Sequence, residues 1–369
     1  MLSKISGRTV VIGLLIVAGL MVLIWWIGKN PVAEFTESLP GTDNRISQAD
    51  SIFEVVNIGE YFEGFGNAPD KLTESWPRFR GEDFDNVSKS PVKLIDRFNG
   101  RAPEILWSYE LGEGHAGPAI YKGAVYLLDY DEEKRADMLR CFSLTDGKER
   151  WRRWYGVNVK RNHGMSRTVP AVTEEYILTI GPRAHVMCVD RGSGDLIWGL
   201  DIEKDYGPEI PFWYTGQCPL IDKGKAILAT GGKAMLIAVD CATGEILWEV
   251  PNEMGWKMSH SSIMPFTFGG QKMYVYSAVG GVMGVAAEGP DEGRVLWRSA
   301  EWNHSVVAPS PVCLPDGKIF LTAGYGAGSM VLQLGMENGR YTASILQEYK
   351  PKVGLACEQQ TPLVFQGHL

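Results

Sequence analysis

A set of polar side chains stands just ahead of apolar runs along the chain, several of them led by proline: His115, Arg167, Gln217, His260, Ser261, Ser262, His304, Gln359 and Gln360. Imidazoles, a guanidinium, hydroxyls and primary amides are the groups from which a polar ligand site is built. Trp213 and Tyr214 enter at the same height in their own segment and would add an aromatic wall. Arg167 with Gln359 and Gln360 forms the better-placed polar floor for a small ligand. His163, His260 and His304 precede neighbouring runs, and three converging imidazoles would suit a metal. Their offsets from the following proline differ, which favours a separate loop role for each, so no metal site is assigned. His185 and His368 fall in strand-like runs and read as structural.

Other chemistries find less support. Cys141, Cys188, Cys218, Cys241, Cys313 and Cys357 contain no Cys-x-x-Cys and no adjacent pair, and several sit in apolar runs, where cysteine behaves as a small hydrophobe. Their disulfide pairing cannot be read from spacing. The net charge is −8, and Lys and Arg are scattered, which excludes a positive stripe for nucleic acid. The one basic cluster, Arg152, Arg153, Lys160 and Arg161, is expected on a solvated loop face.

The elements that must position these residues recur along the chain. The segment from Cys141 through Gly147 to Trp151 is matched by Cys188 through Gly194 to Trp198, and by Ala238 through Gly244 to Trp248. Gly293 to Trp297 is a fourth copy, and Gly339 to Ala343 a degenerate fifth without its tryptophan. Upstream of most copies lies a proline-led apolar run, a polar turn and a second apolar run, beginning at Pro118, Pro170, Pro219 and Pro311. Each such pair predicts a hairpin. With the two runs around Asp-x-x-Thr-Gly, the unit has four antiparallel strands. Both faces of such a sheet are apolar, so the sheets must stack around an axis as blades of an all-β propeller. The turn glycines and the tryptophans Trp151, Trp198, Trp248 and Trp297 then hold blades together and report nothing about a ligand.

The Ala-x-Asp-x-x-Thr-Gly-x-x-x-Trp pattern, best preserved at Ala238 to Trp248, resembles the repeat of quinoprotein-like propellers. That group includes pyrroloquinoline-quinone-dependent alcohol dehydrogenases and the outer-membrane-assembly lipoprotein propeller. Trp76-Pro-Arg-Phe-Arg80-Gly81 resembles a lead-in found before membrane-anchored members, and it is expected to pack on one propeller face. The dehydrogenase resemblance implies a vicinal cysteine pair, a tryptophan floor, and calcium held by Glu, Asn and Asp. No adjacent cysteines exist here, so no catalytic residue is carried over and the cofactor stays unassigned.

Residues 9–27 are uncharged and span about 28 Å at helical rise, close to the hydrocarbon thickness of a bilayer. Lys4 and Arg8 precede them, whereas acidic residues follow Lys29, so the N-terminus is expected in the cytoplasm and the remainder outside a bacterial cell membrane. The expected organisation is a cytoplasmic stub and anchor at 1–28, a stalk at 29–75, the lead-in at 76–104 and the propeller at 105–369. Five blades are followed by 361–369, which read as the opening strand of a sixth. Residues 105–109 would complete the last blade of a seven- or eight-bladed ring cut short in this chain. The expected function is a membrane-anchored, cell-envelope binding or scaffold module for a protein or small-molecule partner. A quinone-dependent dehydrogenase-like oxidoreductase and a periplasmic ligand sensor are the alternatives.

Overall fold

In the computed structural model, residues 7–29, 55–66, 72–98, 100 and 102–369 are described. The chain divides into two compact units, Met1–Glu54 and Val55–Leu369. Within the first, α1 (Gly7–Gly28) is apolar after Arg8 and Thr9, and Val10–Gly28 is long enough to cross a membrane. Lys29 lies over the Trp25 ring at 4.6 Å, the arrangement of a cation and an amphipathic aromatic at a membrane surface. Most of the expected stalk, residues 30–54 and 67–71, lies outside the described residues.

Among the described residues, the second unit is all-β apart from one short α-helix and a 3-10 turn at Pro351–Val353. Two strands precede the first blade, β1 (Tyr61–Gly64) and β2 (Ser75–Trp76). Blade 1 is β3 (Ala119–Tyr121), β4 (Ala124–Asp131), β5 (Ala136–Ser143) and β6 (Glu149–Gly156). Blade 2 is β7 (Ala171–Val172), β8 (Tyr176–Ile180), β9 (His185–Asp190) and β10 (Leu196–Asp201), followed by α2 (Ile202–Tyr206). Blade 3 is β11 (Leu220–Asp222), β12 (Lys225–Ala229), β13 (Ala234–Asp240) and β14 (Ile246–Pro251). Blade 4 is β15 (Met264–Phe268), β16 (Gln271–Ala278), β17 (Gly281–Ala286) and β18 (Val295–Ser299). Blade 5 is β19 (Val312–Cys313), β20 (Lys318–Ala323), β21 (Gly328–Glu337) and β22 (Arg340–Tyr349). Every blade is an antiparallel meander.

Blade 1 is extended at both edges, by β1 against β6 and by β2 against β3. Arg152 and Arg153 therefore stand on β6 and not on a loop: Arg152 binds Glu63, and Arg153 is buried, donating to the carbonyls of Gly194 (2.6 Å) and Gly59 (2.8 Å). The tight hairpins of blades 1 and 3 turn on Lys122-Gly123 and Lys223-Gly224, where both residues take positive φ, as a two-residue turn between twisted strands requires.

The core lies between blades. Leu178, Val186, Ile221, Leu228 and Ile237 form one cluster from blades 2 and 3, and Met273, Val282, Ile319, Leu321 and Leu332 another from blades 4 and 5. The middle strands β5 and β17 are buried along their whole length and β13 as far as Val239, because a neighbour covers each face, hence their near-continuous apolar sequences.

Tryptophans lock the outer rim. The Asp-x-x-Thr-Gly turn is closed by its aspartate, Asp240 Oδ1 accepting from the Ala242 and Thr243 amides at 2.8 and 2.9 Å. The glycine that ends this turn leaves room for the tryptophan of the preceding blade. Trp151 packs on Gly194, Trp198 on Gly244 and Trp248 on Gly293. Trp198 Nε1 also donates to Cys241 O at 3.0 Å, fixing the ring to the next blade's turn. Trp297 departs from this pattern: it folds over Gly284 of its own blade, because blade 5 turns on Asn338-Gly339 and offers no such seat. Residues 105–109 form no strand of a last blade; instead Trp107 seats on Gly147 and donates to Leu144 O at 2.8 Å. Residues 361–369 likewise form no strand, and Phe365 and His368 close them into a turn with mutual backbone bonds.

A Cβ at Gly244 would lie 2.8 Å from the Trp198 ring, on a backbone with φ of 77°. Gly244→Val is expected to lower unfolding free energy by about 2 kcal/mol or more, through steric displacement added to left-handed strain. Gly255→Ala, with φ of 62° and nothing within 4 Å, isolates the backbone contribution and should cost about half as much in the same urea titration.

Candidate functional site

A short segment without regular structure leads into the first strand of each blade, and a residue's offset within it decides where its side chain goes. The reference positions are Pro118, Pro170, Pro219, Ile263, Pro311 and Pro362. Three residues earlier stand His115, Arg167, Gly216, His260, Ala308 and Gln359, and all of them line one cavity of about 500 Å³ at the propeller axis. Two residues earlier, side chains clamp their own blade: Thr168 donates to Ile180 O at 2.6 Å, and the buried Gln217 amide bonds both the carbonyl (2.5 Å) and the amide (3.1 Å) of Ala229. One residue earlier, they tie blade to blade. The Val169 amide donates to Cys218 Sγ (3.3 Å), Cys218 to Ser262 Oγ (3.0 Å), Ser262 to Ser310 Oγ (3.0 Å) and Ser310 to Thr361 Oγ1 (2.9 Å). This inner girdle continues the stacking past β22 to the C-terminal segment.

The lead-in passes along the inner edges of successive blades. Pro77 O accepts from the Val172 amide (2.8 Å), Arg78 Nη1 donates to Ile221 O (3.4 Å), and Arg80 Nη1 to Thr361 O (3.2 Å). Trp76 folds over Gly81, whose φ of 79° reverses the chain, so Phe79 is delivered to the cavity. Two loops build the opposite wall. The residues after α2 carry Phe212, Trp213 and Tyr214, and Asn162 Nδ2 binds Phe212 O at 2.8 Å, joining this loop to the one before Arg167. Trp213 stacks on Tyr325 (5.8 Å, 21°) and approaches His163 (6.3 Å) and His260 (6.1 Å). Phe212 and Tyr325 are exposed at 78% and 68%, which makes the rim aromatic.

Arg167 donates to the carbonyls of Asn162 and Gly164, and its Nε is buried without a partner. His260 Nδ1 is also buried without a partner, and its ring rests against Gly216. Burial, and then the nearby guanidinium, push the His260 imidazole down to about 4, so it is neutral at physiological pH. The loop carrying Arg167 is fixed from below by the buried Asp137, which accepts from Ser166 Oγ and, at 2.9 Å, from Tyr155. Burial lifts the Asp137 carboxyl to about 6 even though both hydroxyls favour its charged form.

The cavity thus brings together His115, Arg167, His260, Ser262 and Gln359 from the candidates read in the sequence, with Trp213 and His163 beside them. Gln217 is spent on the Ala229 backbone. Gln360 is exposed and outside the lining, and His304 packs edge-on against Trp302 at 4.2 Å. Sequence reasoning missed Phe79, Val306 and Tyr325; nothing in their local pattern marks them. Among the described residues, no three His, Cys, Asp or Glu side chains are grouped as metal ligands would be. Glu358 is the one carboxylate in the lining, and it is exposed. The calcium-supported quinone site that the dehydrogenase resemblance implies therefore finds no fitting donor set in this cavity.

Stacked antiparallel blades, tryptophan seats and an axial pocket define a quinoprotein-type β-propeller. The family model described as outer membrane protein assembly factor BamB matches residues 95–202 and 135–349, more than half of the chain, and the protein belongs to that family. No curated protein sequence matches it. Among solved structures, BamB from Moraxella catarrhalis is 15% identical with a TM-score of 0.44, over 67% of this chain and 64% of that one. A europium-containing methanol dehydrogenase is 13% identical with a TM-score of 0.46, over 67% and 53%. The quinohemoprotein alcohol dehydrogenase from Comamonas testosteroni is 12% identical with a TM-score of 0.50, over 75% and 49%. This chain therefore spans between about half and two thirds of those proteins, and the likeness concerns the fold alone.

Two measurements check this geometry. Ser310→Ala leaves the buried Ser262 amide without an acceptor and should cost about 1–3 kcal/mol, with Ser310→Thr recovering most of it. The Asp137 carboxyl has a folded value raised above its unfolded one near 4. The stability it contributes is accordingly full below about pH 4 and lost as pH rises through about 6, a decline of about 3 kcal/mol. Thermal unfolding from pH 4 to 7 should show this decline, and Asp137→Asn should flatten it.

Proposed function

We propose that this chain is a membrane-anchored propeller of the bacterial cell envelope that works as a binding module, with the channel mouth as its working surface. The observation that carries this is the aromatic rim formed by the exposed Phe212 and Tyr325 with the half-buried Trp213 at an open cavity of about 500 Å³. Exposed aromatics beside a preformed pocket are the features of recognition surfaces. The apolar span of α1 ties the protein to the membrane, and the Lys4 and Arg8 charges ahead of Val10 support a propeller on the extracytoplasmic side. The family assignment supports an envelope setting and leaves the partner, protein or small molecule, to be identified.

The test places a photo-crosslinking residue at Phe212 or Tyr325 in the full-length protein within its own membranes, with Phe365, an exposed aromatic of the C-terminal turn, as the control. Adducts at the first two positions and not at the third, together with protease accessibility of the propeller in spheroplasts, are the expected results. A protein that emerges from mild detergent at its monomer mass, without adducts and without a retained small molecule in native mass spectrometry, ends this reading.

A further inference from the structure

Arg167 is a guanidinium inside a cavity whose one carboxylate, the exposed Glu358, forms no ion pair with it. Its hydrogen bonds go to two backbone carbonyls, its Nε has no partner, and among the described residues no carboxylate forms an ion pair with it. Neighbouring arginines differ in this respect, Arg161 pairing with Glu113 and Arg183 with Glu203. Leaving a cation and an imidazole nitrogen desolvated and unpaired costs free energy, and an incoming oxyanion would relieve that cost. His260 Nδ1 is the second unpartnered group of the same cavity. Phe79, Val169, Val306 and Ala308 supply an apolar wall, with Trp213 at the mouth, and His115, Ser262, Glu358 and Gln359 add polar groups to the lining. A volume of about 500 Å³ falls within the range of small-molecule sites.

We propose that the pocket takes a small organic acid, one carboxylate joined to a compact apolar body, with the carboxylate on Arg167 and the body among Phe79, Val306 and Trp213. This rests on the channel-mouth reading above and names the ligand class. A single fixed positive charge balances a single carboxylate, whereas a phosphate brings more negative charge and no apolar surface for the walls to cover. The neutral His260 offers one further hydrogen bond, as donor or acceptor according to its tautomer.

The probes are phenylacetate, cyclohexanecarboxylate, their neutral amides and inorganic phosphate, titrated by calorimetry and saturation-transfer NMR against the full chain in detergent. Each acid is expected to bind at least tenfold more tightly than its amide, and more tightly than phosphate. Arg167→Gln should remove that preference. Because Arg167 also braces its loop, Glu358→Gln serves as a second variant at an exposed position, and it should tighten binding of the acids by about twofold through loss of like charge. Acid and amide binding equally, phosphate binding as well as the acids, or an unchanged acid affinity in a folded Arg167→Gln protein would each overturn the ligand class. If crosslinks from Phe212 and Tyr325 persist in those cases, the binding-module reading stands and only the ligand class fails. If neither crosslinks nor probe binding are found, both fail.

Discussion

A four-stranded blade has two apolar faces and can cover neither by itself, so everything in this propeller depends on how one blade is held against the next. The chain meets that constraint at two radii. At the outer rim, a tryptophan of one blade seats on the turn glycine of the next, as Trp198 does on Gly244. At the inner rim, a backbone amide of one blade donates to a side chain of the next, from Val169 through Cys218, Ser262 and Ser310 to Thr361. Between these radii the middle strands interdigitate, and their near-complete burial follows. The tryptophan seat supplies area and the girdle supplies register, since a hydrogen bond fixes the height of a strand in a way that apolar contact does not.

The pocket is a by-product of this arrangement that the lead-in and two loops turn into a site. Inner strands converge on the axis but cannot fill it, because the girdle sets their spacing. The Trp76 to Gly81 turn inserts Phe79 into that space, and the loop after α2 brings Trp213 to it. α2 itself is a capped single turn, with Asp201 accepting from the Lys204 amide and Gly207 in the left-handed conformation, and it ends the outer strand of blade 2 so that the chain can return toward the axis. Asp137 then fixes the height of Arg167 through Ser166, which links the buried polar groups of blade 1 to the electrostatics of the cavity.

Much of the fold is legible in the sequence, because the repeat is local chemistry: Asp-x-x-Thr-Gly is a turn with its own hydrogen bonds, and Gly-x-x-x-Trp places the ring at a set distance from it. Where local chemistry changes, expectation and structure part. The Asn338-Gly339 hairpin lengthens β21 and β22 and removes the seat that Trp297 would use. Residues 105–109 have the composition of a strand, but strand formation depends on a partner edge, which composition does not contain. The site is half legible. Polar residues ahead of each blade are visible, yet His115, Arg167, His260 and Gln359 differ from Gln217 and Gln360 only in standing three residues before the reference position and not two. Phe79 and Tyr325 come from distant segments, and only the fold brings them in.

That difference of one residue separates stability from binding. Successive side chains of an extended segment point in different directions, so one position must face the neighbouring blade, one its own strand, and one the axis. The first two are held by the architecture: a residue there that cannot bond leaves a buried amide or carbonyl unsatisfied. The third owes nothing to the sheet. Around this ring it holds an imidazole, a guanidinium, no side chain at all, a second imidazole, a methyl and an amide, at His115, Arg167, Gly216, His260, Ala308 and Gln359. Gly216 and Ala308 open the space that the His260 ring and the apolar wall need, and Arg167 is left as a charge that no blade requires. A partly desolvated guanidinium that braces its own loop but meets no counter-ion has the rationale for its charge in what enters the cavity, which is why the chemistry of this propeller is to be sought at the axis and not along the tryptophan-bearing rim.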